Sequence, residues 1–302
     1  MERETGKFHG IISPVVTLFN EDGDFNWEAN KQLTDFLIDK GVHGILFMGS
    51  TGEFSSLSID MRKRFMEDMI PYVNNRVPVL IGTGSTSLAD TIELSRHAQD
   101  CGADGVLVVS PYYWKFTENQ LFDYFTSVSK SIDISILIYN IPMLTGQSLS
   151  PQLIARLAES YDNIVGIKDT IDNLGHIRKL IFETKKKRED FAVFAAFDDL
   201  VLPALQIGAK GSVHGTSVFA PEHSVNLYNC FKSGKLEEAL DHHQKIISLM
   251  SVYELSEPLF LAIKETVHQT VLGYKTANLP PAFAEDITLN EKVGLFINSH
   301  LK

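Results

Sequence analysis

The sequence has little cysteine, little positive charge and no long apolar segment. Among its 302 residues are two cysteines, Cys101 and Cys230, too few for a disulfide scaffold and typical of a reducing compartment. The formal net charge of −11 argues against nucleic acid or an anionic membrane surface as a partner. No apolar run is long enough to span a bilayer, and the polar amino end lacks the apolar core of a signal peptide. We therefore expect a cytoplasmic protein.

What is present is a regular alternation of apolar runs and helical segments. Hydrophobic residues make up 44% of the chain, enough for a sizeable core. Nearly continuous apolar runs are typical of parallel strands buried on both faces. Eight such runs in this length favour an α/β fold, a closed (β/α)8 TIM barrel, over an open sheet. The predicted strands are residues 10–19, 44–48, 77–81, 105–109, 134–138, 164–168, 191–196 and 211–213.

The pattern changes after about residue 220, where the strand signals stop. Helical periodicity continues over residues 221–232, 235–253 and 258–272, with a last helix from residue 290. No linker rich in glycine or serine separates these helices from the preceding part. We predict a barrel catalytic domain at residues 1–220 and a helical region at residues 221–302 packed on it.

The strongest indication of chemistry is a lysine at the end of an apolar run. Ile164 to Ile167 lead directly into Lys168, and Asp169 and Thr170 follow. A lysine at the end of a buried strand is partly desolvated, which favours the neutral amine that can attack a carbonyl and form a Schiff base. Taken alone, this pattern is better explained by a lysine that is simply the first residue of a solvated loop.

Other predicted strand ends carry residues that suit this chemistry, and barrel enzymes place their sites there. Tyr113 and Tyr139 could move protons, with Ser50 as a relay hydroxyl. The turn at Ser50 and Thr51 offers N–H groups and hydroxyls to a carboxylate. Each alone is better explained as a core ring or an ordinary turn, but together with Lys168 they form one coherent site. Further strand-end residues are Thr170, Asp198, Asp199 and His214.

Four motifs together resemble one enzyme family. They are Gly49-Ser50-Thr51-Gly52-Glu53, Pro111-Tyr112-Tyr113, Tyr139-Asn140-Ile141-Pro142 and Gly166-Ile167-Lys168-Asp169-Thr170. With these motifs in the family's order, the chain resembles, over essentially its whole length, the dihydrodipicolinate synthase / N-acetylneuraminate lyase family of Schiff-base pyruvate aldolases. The resemblance implies that Lys168 forms an imine with pyruvate and that Tyr139 is the acid/base group beside it.

The same resemblance implies the remaining parts of the site. Ser50 and Tyr113 would form a proton relay, with Tyr113 reaching into a neighbouring subunit's site. Thr51 would hold the pyruvate carboxylate, and the backbone carbonyl of Val213 would line the site. The family typically forms homotetramers built as dimers of dimers, and it needs neither a metal nor an organic cofactor.

The choice among family members depends on a few positions. The synthases place an arginine two residues after the proline of the Tyr-Asn-x-Pro motif, where this chain has Leu144, which cannot hold a second carboxylate. Positions matching the sialic acid lyases' hydroxyl contacts carry Thr170, Asp198 and Asp199, which suit a polyol. The chain looks most like the 2-keto-3-deoxygluconate aldolases. Dihydrodipicolinate synthase and N-acetylneuraminate lyase stay open as alternatives.

Two readings from other classes compete. A metal-dependent aldolase would need converging histidine and carboxylate ligands, and His214 is the one histidine at a predicted strand end. A catalytically silent sugar-acid sensor could keep the barrel, but it would have little reason to keep Lys168, Tyr139, Ser50 and Tyr113 together.

Overall fold

Eight parallel strands close into a barrel in the order β1 to β8, as the sequence predicts. We describe residues 6–282 and 288–301 from a computed structural model of the chain. The strands are β1 Gly10–Pro14, β2 Gly44–Phe47, β3 Val79–Gly82, β4 Gly105–Val109, β5 Ser135–Asn140, β6 Ile164–Asp169, β7 Ala192–Ala195 and β8 Gly211–Ser212. The eight-unit prediction is confirmed.

Helices connect the strands and continue after the last one. They are α1 Trp27–Asp39, α2 Ile59–Val73, α3 Leu88–Asp100, α4 Glu118–Ser129, α5 Pro142–Thr145, α6 Pro151–Ser160, α7 Leu174–Lys185, α8 Val201–Gln206, α9 Pro221–Lys232, α10 Leu236–Leu249, α11 Phe260–Val267 and α12 Leu289–His300. Several of these helices have a side-chain N-cap. Thr117, for example, forms a reciprocal capping box with Gln120 at the start of α4. Among the described residues, no helix is long and apolar enough to cross a bilayer.

Some predicted boundaries differ from the structure. The first strand ends at Pro14 rather than at residue 19, because the chain beyond it leaves the ladder while its apolar side chains stay buried. The predicted helix at 258–272 is an α-helix to Val267 that continues as a π-helical turn to Leu272. The short helix α5 was not expected at all.

Closure of the barrel depends on β1 and β8. Their register pairs Gly10 with Gly211 and Ile11 with Ser212. A Cβ atom on Gly211 would overlap the carbonyl oxygen of Gly10, so a residue with a side chain does not fit at that contact.

Two apolar layers surround the strands. Outward-facing residues such as Val106 and Ile138 pack under the helices, whereas Leu107, Leu137 and Tyr139 belong to a cluster that fills the barrel interior. This alternation follows from the two-residue period of a strand. It places the side chain of Tyr139, near the end of β5, in the interior.

The helices after residue 220 contact the barrel at several points. An isolated bridge joins Ala277 to Phe19 beyond β1, and Lys264 of α11 forms an ion pair with Glu53 after β2. The division into a barrel domain to residue 220 and a helical region from residue 221 stays a prediction.

Candidate active site

Lys168 and Tyr139 lie side by side at the carboxyl ends of two neighbouring strands. The register of β5 and β6 pairs Tyr139 with Lys168 directly. The Nζ atom of Lys168 lies 4.4 Å from the centroid of the Tyr139 ring. Both residues are buried, with exposed fractions of 5% and 3%. A lysine amine and a phenol held this close and away from bulk water can act on one substrate carbonyl.

Ser50 joins this pair from the turn after β2. Its Oγ atom lies 3.3 Å from the Tyr139 hydroxyl oxygen, and either group could donate the hydrogen bond. The turn is short because the N–H groups of Gly52 and Glu53 donate to the carbonyls of Gly49 and Ser50. The structure thus brings together three of the four residues predicted to be catalytic.

Tyr113 lies apart from the other three. Its side chain is 85% exposed and stacks edge-on against Trp114, with the ring centroids 5.3 Å apart. Its φ of +84° is in the left-handed region, which is rare for a residue with a side chain. Within residues 6–282 and 288–301, no hydrogen bond joins Tyr113 to Ser50 or Tyr139. Its relay role stays a prediction.

The predicted substrate-binding residues occupy different environments. Thr51 is half-buried in the same turn as Ser50. Val213 is buried in the interior cluster, and its N–H donates to the Ala195 carbonyl at 2.9 Å. Thr170 has a buried hydroxyl without a hydrogen-bond partner. A buried polar atom with no partner is costly, and a bound substrate hydroxyl would satisfy it.

Asp198 and Asp199 differ sharply although they are adjacent. Both carboxylate oxygens of Asp198 already accept hydrogen bonds, Oδ1 from Thr216 and Oδ2 from the Tyr253 hydroxyl at 2.8 Å. Asp199, by contrast, has a buried Oδ1 without a partner. Burial raises the pKa of its carboxyl, and the nearby Asp172 carboxylate adds to this shift. Of the two, Asp199 is the one with an oxygen available for a ligand.

A buried network of hydrogen bonds lies next to Lys168 and Tyr139. The Asn140 side chain accepts from the Leu149 N–H at 3.0 Å and donates to Oδ1 of Asp169 at 2.7 Å. The other oxygen of Asp169 lies 3.0 Å from Nδ1 of His176 on α7. Because a carboxylate only accepts, this His176 nitrogen carries the proton. Asn140 follows Tyr139 on β5, and Asp169 follows Lys168 on β6. The hydrogen bond between them therefore fixes the two strand ends relative to each other.

We expect Asp169→Asn to weaken both stability and turnover. The amide is a weaker, uncharged acceptor, and it would set an N–H group against the Asn140 donor or against His176, which can accept it only after moving its proton to Nε2; an unmade buried hydrogen bond costs about 1–3 kcal/mol. Turnover should fall roughly 10-fold because Lys168 and Tyr139 lose their fixed spacing. Urea unfolding and steady-state rates measure the two effects. Asp190→Asn, at an exposed carboxylate paired with Arg188, is the matched control; equal losses in both variants would remove the positioning role.

His214 has a structural environment rather than a ligand-binding one. Its ring nitrogens lie 2.8 Å from the hydroxyls of Ser212 and Ser224, and burial lowers its pKa. The described residues contain no group of three histidine, cysteine, aspartate or glutamate side chains that could hold a metal ion.

Sequence reasoning missed two residues of the helical region that support the strand ends. Lys264 binds Glu53, and Tyr253 binds Asp198. Lys264 follows an apolar run that reads Phe260-Leu261-Ala262-Ile263, so an unusual lysine could have been noticed there. Nothing in the sequence indicates its partner.

Fold and site together define a (β/α)8 barrel with a buried lysine and tyrosine side by side at the strand ends. The dihydrodipicolinate synthetase family matches residues 7–295. In Escherichia coli K12, YjhH, whose name provisionally assigns it as a 2-dehydro-3-deoxy-D-pentonate aldolase, is 39% identical over 97% of both chains. YagE of the same organism, provisionally named a 2-dehydro-3-deoxy-D-gluconate aldolase, is 42% identical over 92% of both chains.

A solved structure extends the similarity to three dimensions. The crystal structure of YagE in complex with pyruvate superposes with a TM-score of 0.94 at 40% identity, covering 98% of this chain and 99% of that one. The chain therefore belongs to the dihydrodipicolinate synthetase family, and the protein is an aldolase of that family.

Proposed function

We propose that the protein cleaves or forms a 2-keto-3-deoxy sugar acid similar to 2-keto-3-deoxygluconate, with pyruvate and an aldehyde as the other partners. The observation that carries this proposal is the buried contact of Lys168 with the Tyr139 ring, with the Ser50 hydroxyl beside it. This geometry suits imine chemistry at a ketone next to a group that can move protons.

The proposed reaction follows from these groups. The Lys168 amine attacks the C2 ketone, and Tyr139 donates the proton with which the carbinolamine hydroxyl leaves as water, so that a protonated imine remains. Tyr139 then takes the proton of the C4 hydroxyl, the C3–C4 bond breaks, and the aldehyde departs. The bond electrons form an enamine, which takes at C3 the proton that Tyr139 received, and this restores the protonated imine. Water finally releases pyruvate and restores the amine.

Two loops near Lys168 and Tyr139 would serve the substrate's carboxylate and the proton relay: the turn after β2 and the loop after β4. Thr51 and the N–H groups of its turn would receive the carboxylate. The Tyr113 side chain is 85% exposed and therefore accessible to a neighbouring copy of the chain, as the relay role proposed for it in an oligomer requires. The homotetramer, the absence of a cofactor and the cytoplasmic location stay predictions.

Residues at the barrel mouth favour a polyol over a second carboxylate. Leu144 lies 63% exposed on α5, where a synthase would need an arginine. The free polar atoms of Thr170 and Asp199 suit hydroxyl groups, whereas the engaged Asp198 fits a supporting role. The provisional names of YagE and YjhH point to the same substrate class.

The direct test is pyruvate release from candidate substrates. We expect the purified protein to release pyruvate from 2-keto-3-deoxygluconate or its pentonate analogue, in a coupled lactate dehydrogenase assay insensitive to chelators. Release from N-acetylneuraminate alone would favour the sialic acid lyase alternative. Condensation of pyruvate with aspartate semialdehyde, without sugar-acid cleavage, would favour the synthase. Neither turnover nor borohydride trapping of pyruvate would fit the silent sensor, whereas trapping without turnover on these compounds would keep the Schiff-base site and move the substrate elsewhere.

A further inference from the structure

The turn that carries Ser50 and Thr51 begins and ends in an unusual conformation. Met48 and Glu53 flank it, with φ values of +55° and +58°. Left-handed backbone is rare for residues with a side chain, and it persists where the surroundings impose it. Thr17 secures the turn by donating to the Gly52 carbonyl at 2.7 Å. The side chain of Glu53 secures its far end.

Glu53 forms a buried ion pair with Lys264 of helix α11. Both side chains are 1% exposed. The Lys264 ammonium also lies 4.8 Å from the Phe19 ring centroid, and it donates to the Asn278 side chain at 3.5 Å. Burial raises the pKa of Glu53 and lowers that of Lys264, while their mutual attraction opposes both shifts.

A buried ion pair is a poor source of stability, because the loss of hydration largely cancels the attraction. Its effect here is geometric, since it joins two parts of the chain that are more than 200 residues apart at one fixed contact. One part is the turn after β2, and the other is a helix of the carboxyl-terminal region.

We propose that the Glu53–Lys264 ion pair is a positioning device that holds the Ser50–Thr51 turn in the shape that receives the keto-acid carboxylate. Helix α11 then contributes to substrate binding through Lys264, in addition to packing against the barrel. The inference rests on the proposed function, because the carboxylate in question is that of pyruvate or the sugar acid.

The test measures how pyruvate saturates imine formation. Borohydride trapping of pyruvate is followed by intact mass in the wild type, in Glu53→Gln and in the neutral pair Glu53→Gln/Lys264→Met. We expect the half-saturating pyruvate concentration to rise about 10-fold in both variants, the change that 1.4 kcal/mol of lost binding produces. The trapping rate at saturating pyruvate should change by less than about 3-fold, because Lys168 itself is untouched.

Glu265→Gln supplies the matched control. This buried carboxylate is the next residue of α11, but its partners are His268, Gln269 and Asn290, all in the carboxyl-terminal region. The variant should lower the unfolding temperature without changing the half-saturating concentration. A rise equal to that of Glu53→Gln would reduce the effect to general destabilisation and overturn the proposal.

The outcomes separate the two hypotheses. Wild-type protein that traps no pyruvate would reject the proposed function itself. Wild-type trapping with unchanged half-saturation in both pair variants would reject only the positioning role. If Glu53→Gln fails to fold, the neutral pair provides the measurement, since it leaves neither charge buried alone.

Discussion

Lys168→Ala is expected to abolish pyruvate release and imine formation. The amine is the only group in the proposed mechanism that becomes covalently bound to the substrate, so no neighbouring residue can replace it. We expect the rate to fall roughly 10⁴-fold or more, as losses of catalytic nucleophiles do. The measurements are pyruvate release from 2-keto-3-deoxygluconate and the mass increase after borohydride trapping.

The control is the same substitution at an exposed lysine away from the site. Lys179→Ala removes an exposed lysine of α7 and should keep full activity. Peptide mapping of the trapped wild-type protein should place the added mass on Lys168 and leave Lys264 unmodified. Turnover that survives in folded Lys168→Ala would refute the Schiff-base assignment, and label on Lys264 would move it to the other buried lysine.

The barrel was predictable because its signal is repeated. Eight near-continuous apolar runs separated by helical segments leave few alternatives to a closed parallel barrel, and errors at single boundaries do not change that count. The boundaries themselves were less predictable. Residues 15–19 are as apolar and buried as β1, yet they are not in its ladder: pairing with β8 ends at Ile11 and pairing with β2 ends at Pro14, although β2 itself continues to Phe47.

The candidate site was predictable only in part, and the two buried lysines illustrate why. Ile167-Lys168-Asp169-Thr170 and Ile263-Lys264-Glu265-Thr266 are nearly the same sequence. The first lies at the end of β6, where the strand period points Lys168 toward Tyr139. The second lies in α11, where the helix directs Lys264 to Glu53. Local sequence cannot separate them, because the difference depends on partners distant in the chain.

Asp198 and Asp199 illustrate the same limit for substrate contacts. Sequence alone presents two equivalent carboxylates after β7. Thr216 and Tyr253, which engage Asp198, come from the turn after β8 and from the helical region, so the distinction appears only in three dimensions. A carboxylate with both oxygens occupied orients its neighbours, whereas one with a free buried oxygen can still bind a ligand.

Tyr139→Phe is expected to separate proton transfer from imine formation. Phenylalanine keeps the ring next to the Nζ atom of Lys168, so the packing of the pair is preserved. The variant lacks the hydroxyl that contacts Ser50 and that would take the proton of the C4 hydroxyl. Turnover should fall by about 10²–10⁴-fold, the usual contribution of a general acid–base group. Borohydride trapping of pyruvate should persist at a reduced rate.

The comparison that decides the role of Tyr139 is between turnover and trapping in the same protein. Tyr161→Phe is the control, because Tyr161 packs its ring on Phe122 away from the site and should keep full activity. Equal losses of turnover and trapping would assign Tyr139 to imine formation alone. An unchanged turnover would remove it from catalysis, and Ser50, the other hydroxyl in contact with the pair, would then be the group to test.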